Sequence, residues 1–420
     1  MGFKIKSVFA RSVFARTAQG VETTVVTDDG ALGVAVAVAG VSVGKHEVQF
    51  TYDGGERWGG KGMLKAIGNI ENVIGPTIKG MDVTKQRAVD EVMLKLDGTP
   101  NKARLGGNAM ASVSAAVLKA AAANLGIPLY QHIGGVNACI LPVPGSGAFG
   151  GSNRYGGGKR SGGKPSVTFY CYGFNSFSEA SYAAWEVSRE FQKILSNKFQ
   201  VSGRGGMPGR IPVGVVEHDR ELFALMTDAI DNCGYKNKIG IQMDVAAGTY
   251  YNTTKGVFEG LFSKEDKSKE DLIELYKNLV ADYPFVILED PLDEDDFDGH
   301  AIVTKELGIE VVGDDLFTTN IERLKQGIEV GAANAVLLKV NQIGTISEAL
   351  DTVQLAYRHG YGVMPCSSRG EGPDIADYTV GLSTGHLREG GTGPTANRLL
   401  KIESELGNNA KFLGRQGFKP

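Results

Sequence analysis

Two kinds of hydrophobic spacing divide the chain. Near the start, β-branched runs at Val21–Val26 and Gly33–Val38 flank Asp28-Asp29-Gly30, the chemistry of a hairpin turn. Apolar residues then recur at helical spacing from Gly62 to Leu96, interrupted at Gly75-Pro76. An alanine-rich helix follows over Gly106–Leu125, closed by Gly126 and Pro128. This pattern predicts a three-stranded, helix-backed α+β domain over residues 1–137.

After Pro142 short apolar runs alternate with helix-length segments. Strands are expected at Val167–Tyr172, Ile239–Val245, Phe285–Glu289, Glu310–Val312, Ala335–Val340, Gly362–Pro365 and Thr379–Leu382. Helices such as Asp271–Asp282 and Ile321–Val330 lie between them. Near-continuous apolar strands separated by helices predict a parallel sheet, and this many predict a closed (β/α)8 barrel over 138–420. In such barrels the chemistry sits at the C-terminal strand ends. Glycine clusters at Gly145–Gly163 and Gly203–Gly209 read as loops over a site or as disorder. A five-residue tandem repeat, Ser7–Arg11 followed by Ser12–Arg16, is too short for a solenoid and reads as a strand feature.

Composition narrows the classes. At 420 residues, 42% apolar and 22% charged, the chain has material for a large buried core. A net charge of −4 speaks against a nucleic-acid or membrane-surface role. Cys139, Cys171, Cys233 and Cys366 are too far apart for zinc-site spacing and read as reduced thiols of a cytoplasmic protein. No apolar run approaches the ~20 residues of a membrane helix, and Met1–Lys6 opens no secretory signal.

Three successive expected strands end in acids: Met243-Asp244, Leu288-Glu289-Asp290 and Gly313-Asp314-Asp315. Asp244, Glu289 and Asp314 would converge on one barrel mouth, where three carboxylates stay ionised together only if a cation compensates them. Hard oxygen ligands suit Mg²⁺, and Asp290 and Asp315 stand behind as supporting groups. The next strand delivers Lys339 in Leu338-Lys339-Val340-Asn341. Burial beside a dication would lower its pKa and free an amine to act as a base; equally, the lysine could only pair with a metal carboxylate.

Several long strings resemble the enolase (phosphopyruvate hydratase) family: Leu96–Lys102, Met243–Ala247, Glu289-Asp290-Pro291, Gly313–Leu316, Leu337–Thr345, Gly60–Lys65, Gly126–Gly135 and Ser176–Ala180. The likeness runs over nearly the whole chain and weakens between Gly145 and Asn232. It implies an N-terminal α+β capping domain on a TIM barrel and a homodimer in the cytoplasm. Its substrate would be a small phospho-carboxylate held on two Mg²⁺ ions. By motif, Asp244, Glu289 and Asp314 resemble the ligands of the first ion, and Lys339 resembles the base. Ser42 resembles the loop serine that joins the second ion, and Arg16 the arginine of the family's Ser-Arg-Gly segment.

The departures fall in the site. Arg204 stands where the family has the glutamic acid that protonates the leaving hydroxide, and Ser166 where it has a second glutamate. Asn153 replaces a loop histidine. The family's Ser-His-Arg-Ser-Gly-Glu becomes Cys366-Ser367-Ser368-Arg369-Gly370-Glu371, with the histidine lost and the arginine one position later. Arg388 replaces the lysine that binds substrate carboxylate, keeping charge and adding a fork. Arg154, Lys159, Arg160 and Lys164 either make the site more positive or form a solvated loop. Three readings follow. The first is an enolate-forming enzyme with altered elimination or transfer chemistry on a phospho- or phosphono-carboxylate, like carboxyphosphonoenolpyruvate synthase. The others are an ordinary phosphopyruvate hydratase and a non-catalytic paralogue.

Overall fold

The computed structural model describes residues 3–14, 19–40, 43–151, 154–200 and 211–419. Strands β1 (Ile5–Phe14), β2 (Gln19–Thr27) and β3 (Leu32–Ala37) form an antiparallel sheet in chain order. The described part of the tandem repeat lies in β1. Along β2 and β3 alternate residues Val21, Thr23, Val25, Ala35 and Ala37 turn inward and are buried, the period-two pattern of a sheet with one covered face. The cover is a helical run over 64–78, then α1 (Gln86–Asp97) and α2 (Gly107–Leu125). The sheet presses so closely on α2 that a Cβ on Gly33 would lie 1.9 Å from the Ala116 carbonyl oxygen.

The barrel strands are β4 (Val143–Gly150), β5 (Ser166–Cys171), β6 (Ile239–Asp244), β7 (Phe285–Glu289), β8 (Glu310–Gly313), β9 (Ala335–Leu338), β10 (Gly362–Pro365) and β11 (His386–Gly390). Their hydrogen-bonded order is β10-β9-β8-β7-β6-β5-β4-β11, a nearly closed eight-stranded sheet. Outside it pack α3 (Phe177–Phe199), α4 (Arg220–Asn232), α5 (Lys269–Asp282), α6 (Phe297–Leu307), α7 (Ile321–Val330), α8 (Ile346–Arg358), α9 (Ile375–Gly381) and α10 (Gly393–Leu406). Local chemistry sets the starts: Ser268 and Asp271 form a capping box at α5, and Asn320 caps α7 through the amides of Glu322 and Arg323.

Three expectations are corrected. The sheet is not wholly parallel: β5 runs antiparallel to both β4 and β6, because the β4–β5 connection, among the described residues, is made of turns and has no crossover helix. Gly145–Gly150 is strand, not loop; a Cβ on Gly145 would lie 2.1 Å from the Arg388 carbonyl oxygen, so its bareness lets β11 approach. Thr379–Leu382 is not a strand either. Residues 379–381 lie in α9, all of whose residues are buried, and the Thr379 hydroxyl donates to the Ile375 carbonyl at 2.6 Å. His386–Gly390 supplies the last barrel strand instead.

The two parts are tied by buried polar bonds. The Asp90 carboxylate of α1 accepts from the Ser347 amide at 3.0 Å and from the hydroxyls of Ser347 and Ser114, both at 2.6 Å. Further along, the Val48 amide donates to the Gln342 carbonyl at 3.0 Å, which draws the Glu47 segment onto the strand ends.

Candidate active site

Asp244 closes β6, Glu289 closes β7 and Asp314 follows β8 at once; all three are buried. One carboxylate oxygen from each lies within 4.8 Å of the others. The register explains this, since Glu289 pairs with Asp244 on one side and Val312 on the other. Asp290 points behind the site and accepts from the amides of Asp314 and Asp315 at 3.0 and 2.7 Å, which shapes the turn carrying Asp314. Burial, with Asp315 next, raises the Asp290 carboxyl well above its ordinary value. Burial and Asp314 together push Asp315 up to about 7.

Lys339 follows β9, and its Nζ donates to Asp314 Oδ2 at 2.5 Å. Burial pulls the ammonium down, but the Asp314 carboxylate outweighs it and the lysine is net raised. The lysine is thus paired with one of the three carboxylates, one of the two roles expected for it. Gln342 Nε2 donates to Asp314 Oδ1 at 2.7 Å, and Gln242 Nε2 to Glu289 Oε2 at 3.0 Å. These two amides fix the carboxylates and were not singled out in the sequence, where both look like ordinary strand-end polar residues.

Arg388, on β11, reaches across the mouth. Its Nη2 donates to Ser166 Oγ at 2.9 Å and to Asp244 Oδ2, and its Nε lies 3.4 Å from Glu289 Oε2. Ser166 starts β5 directly opposite Asp244. Lys164 Nζ also sits on Asp244 Oδ2, its pKa lowered to about 8 by burial first and then by Arg388. Of the four loop cations weighed from sequence, Lys164 is the one placed against the site. Lys159 and Arg160 are exposed, and Arg154 is buried on Asp219, with Nη2 to Oδ2 at 3.0 Å and Nε to Oδ1 at 3.2 Å.

Arg369 is buried and clasped by both oxygens of Glu47, with Nη1 to Oε2 at 2.6 Å. The Glu47 contact was not foreseen and joins the first part of the chain to the barrel mouth. Ser367 is half-buried and Ser368 exposed on the same loop. The expectations for Arg16, Ser42, Asn153 and Arg204 fall outside the described residues.

The donor set fits a hard divalent cation. Asp244 Oδ1 and Glu289 Oε1 are buried without a hydrogen-bond partner among the described residues, and an unmet carboxylate oxygen in the interior is costly. A cation held by Asp244, Glu289 and Asp314 would satisfy both.

Comparison with known proteins bears on the same residues. The family model described as "Enolase, N-terminal domain" matches residues 5–133, and "Enolase, C-terminal TIM barrel domain" matches residues 139–420. A protein named Enolase from Methanocaldococcus jannaschii is 42% identical, covering 98% of each chain. One from Methanopyrus kandleri is 41% identical over 99% of each, and one from Thermococcus kodakarensis is 40% identical over 100% of this chain and 99% of its own. With both halves matched and identity sustained end to end, the chain is a lyase-type member of the enolase family.

Proposed function

We propose that this chain is a Mg²⁺-dependent hydro-lyase that converts 2-phosphoglycerate to phosphoenolpyruvate and water. The observation carrying this reading is Lys339 Nζ at 2.5 Å from Asp314, inside the carboxylate set at the ends of β6, β7 and β8. The name shared by relatives about 40% identical supports the choice of substrate.

Asp244, Glu289 and Asp314 would hold the cation, which supplies positive charge against a substrate carboxylate as its α-carbon loses a proton. A cation shared by Asp314 would weaken that carboxylate's hold on the Lys339 proton, which would make a neutral amine accessible. Lys339 would then take the α-proton onto Nζ, the C–H pair becoming the new double bond as the Cβ–O bond breaks; the leaving hydroxide takes a proton from solvent to form water, and the Lys339 ammonium returns its proton to solvent. Arg388, a fork beside Ser166, suits a carboxylate or phosphoryl group in two-point contact.

A second reading is favoured by Ser166, which lies opposite Asp244, at the position where the family resemblance leads us to expect a glutamate. The enolate would form as before on a phospho- or phosphono-carboxylate, but the group that leaves or is transferred would not be hydroxide. Positioned acids are worth ~10²–10⁴ in rate, so this reading expects 2-phosphoglycerate dehydration slower than in the relatives by ~10² or more.

One experiment separates them. The protein is incubated with Mg²⁺ and 2-phosphoglycerate in deuterated water, with α-proton exchange followed by NMR and phosphoenolpyruvate by a coupled assay. Exchange with product is expected. Exchange without product selects the second reading, and neither signal overturns both.

A further inference from the structure

Lys164 lies just ahead of β5, in a segment whose backbone is held on several sides. Its amide donates to the Ser161 carbonyl at 3.2 Å, and its carbonyl accepts from the Tyr250 hydroxyl at 2.5 Å and the Ser161 hydroxyl at 3.4 Å. The side chain runs from this anchored point into the mouth and ends on Asp244 Oδ2, the same oxygen that Arg388 Nη2 engages. Two cations thus crowd one oxygen, while Asp244 Oδ1 has no partner among the described residues.

The two cations are not equivalent. Arg388 has Ser166 and Glu289 as further neighbours. The Lys164 ammonium has no other ion pair or hydrogen bond among the described residues, and its side chain is only 15% exposed. If Asp244 turns to a metal ion, Arg388 keeps its bond to Ser166 and its contact with Glu289, while Lys164 loses its direct contact and keeps only the longer-range attraction of Glu289 and Asp314, which the ion would share. A buried ammonium that has lost its direct ion-pair partner is destabilised. Charge counting agrees: Asp244, Glu289 and Asp314 face Lys164, Arg388 and Lys339, so the set is balanced before a dication enters and positive afterwards.

We propose that Lys164 is a displaceable substrate ligand: it holds Asp244 in the metal-free protein and is released to an anionic group of the substrate when Asp244 ligates a cation. Metal and anion binding are thereby coupled, each strengthening the other by the same factor. This rests on the reading of the site as one for a cation and a phospho-carboxylate. The shared chemistry is an anionic oxygen group, from either a phosphoryl or a phosphonyl donor.

Calorimetry on the full chain tests it. Mg²⁺ alone is titrated into the wild type and Lys164→Met, each checked by thermal melting, with Lys164→Arg as the charge-keeping variant. In Lys164→Met, Mg²⁺ should bind more tightly by about 10-fold, since a competing charged contact is gone. With Mg²⁺ saturating, 2-phosphoglycerate and phosphonoacetate are titrated in a Lys339→Ala background to prevent turnover. Both should bind on the order of 10-fold more weakly to Lys164→Met, with Lys164→Arg recovering most of the loss. Unchanged or weaker Mg²⁺ binding in Lys164→Met would overturn the proposal, and so would unchanged anion binding. If Lys164→Met does not fold, Lys164→Gln is read in its place. If neither anion binds the Lys339→Ala protein that keeps Lys164, the substrate reading fails and the anion half of this proposal falls with it. The Mg²⁺ comparison still decides whether Lys164 holds Asp244.

Discussion

Ser166 and Asp244 face each other across the antiparallel pair β5–β6, and the Arg388 guanidinium bonds to both side chains. The Asp244 carboxylate is therefore held from the side by a cation.

Asp244→Asn keeps the shape of that carboxylate and removes its charge. Mg²⁺ affinity should fall by at least ~10², more than the loss of a supporting residue brings. The shift in melting temperature on adding Mg²⁺ should vanish with it. Calorimetry finding Mg²⁺ affinity unchanged would move the metal site elsewhere.

Lys339→Ala separates chemistry from binding. Asp314 Oδ2 loses the ammonium it accepts from at 2.5 Å, so Mg²⁺ binding should persist or strengthen. The α-proton exchange should drop by ~10²–10⁴, the range of a positioned base. Exchange surviving at the wild-type rate would remove Lys339 from the base role.

The placement of Asp244, Glu289, Asp314 and Lys339 was legible in the sequence because each follows an apolar strand run, and strand ends in a barrel converge. Phe285–Glu289 and Ile321–Val330 came out with the observed bounds for the same reason. What escaped depends on contacts between distant segments. Glu47 and Arg369 are far apart in the chain and meet only because the Glu47 segment docks on Gln342. Lys164 sits among glycines and looks solvated until the β4–β5 hairpin turns it inward. The helix at Ile375–Gly381 was hidden by its β-branched Thr379 and Val380, whose local preference yields to burial against the barrel.

Arg154 and Asp219 form a buried pair joined by the Tyr155 hydroxyl at 2.9 Å. The pair pins the glycine-rich segment to the start of α4. Arg154→Ala leaves the Asp219 carboxylate buried and uncompensated, which should cost ~3 kcal/mol or more. Replacing both residues with apolar ones of similar size should recover much of that loss, because the uncompensated charge is then gone. Urea unfolding of the single and double variants measures both. A single variant as stable as wild type would show that the pair does not anchor the segment.

His300, on α6, should give the protein a steep loss of stability in mild acid. The ring is fully buried; Nδ1 lies 2.8 Å from the Asp296 carbonyl and Nε2 has no partner among the described residues. Burial dominates the Asp296 carbonyl and nearby carboxylates, which act the other way, and the pKa is pushed down from 6.5 to about 4. The sign follows from proton uptake. Above pH 6.5 the ring is neutral whether the chain is folded or not, so stability does not depend on it. As pH falls below 6.5 the unfolded chain binds a proton that the folded chain refuses until about pH 4, so each step down favours unfolding. At ~1.4 kcal/mol per pKa unit the full loss is ~3 kcal/mol. His300→Gln keeps a donor for the Asp296 carbonyl and cannot take the proton. Chemical denaturation across this window should show a flatter decline for the variant than for wild type, with the two curves separating by up to ~3 kcal/mol near the lower end. Parallel curves would mean that the folded protein accommodates the charged ring and that His300 is not what weakens it in acid.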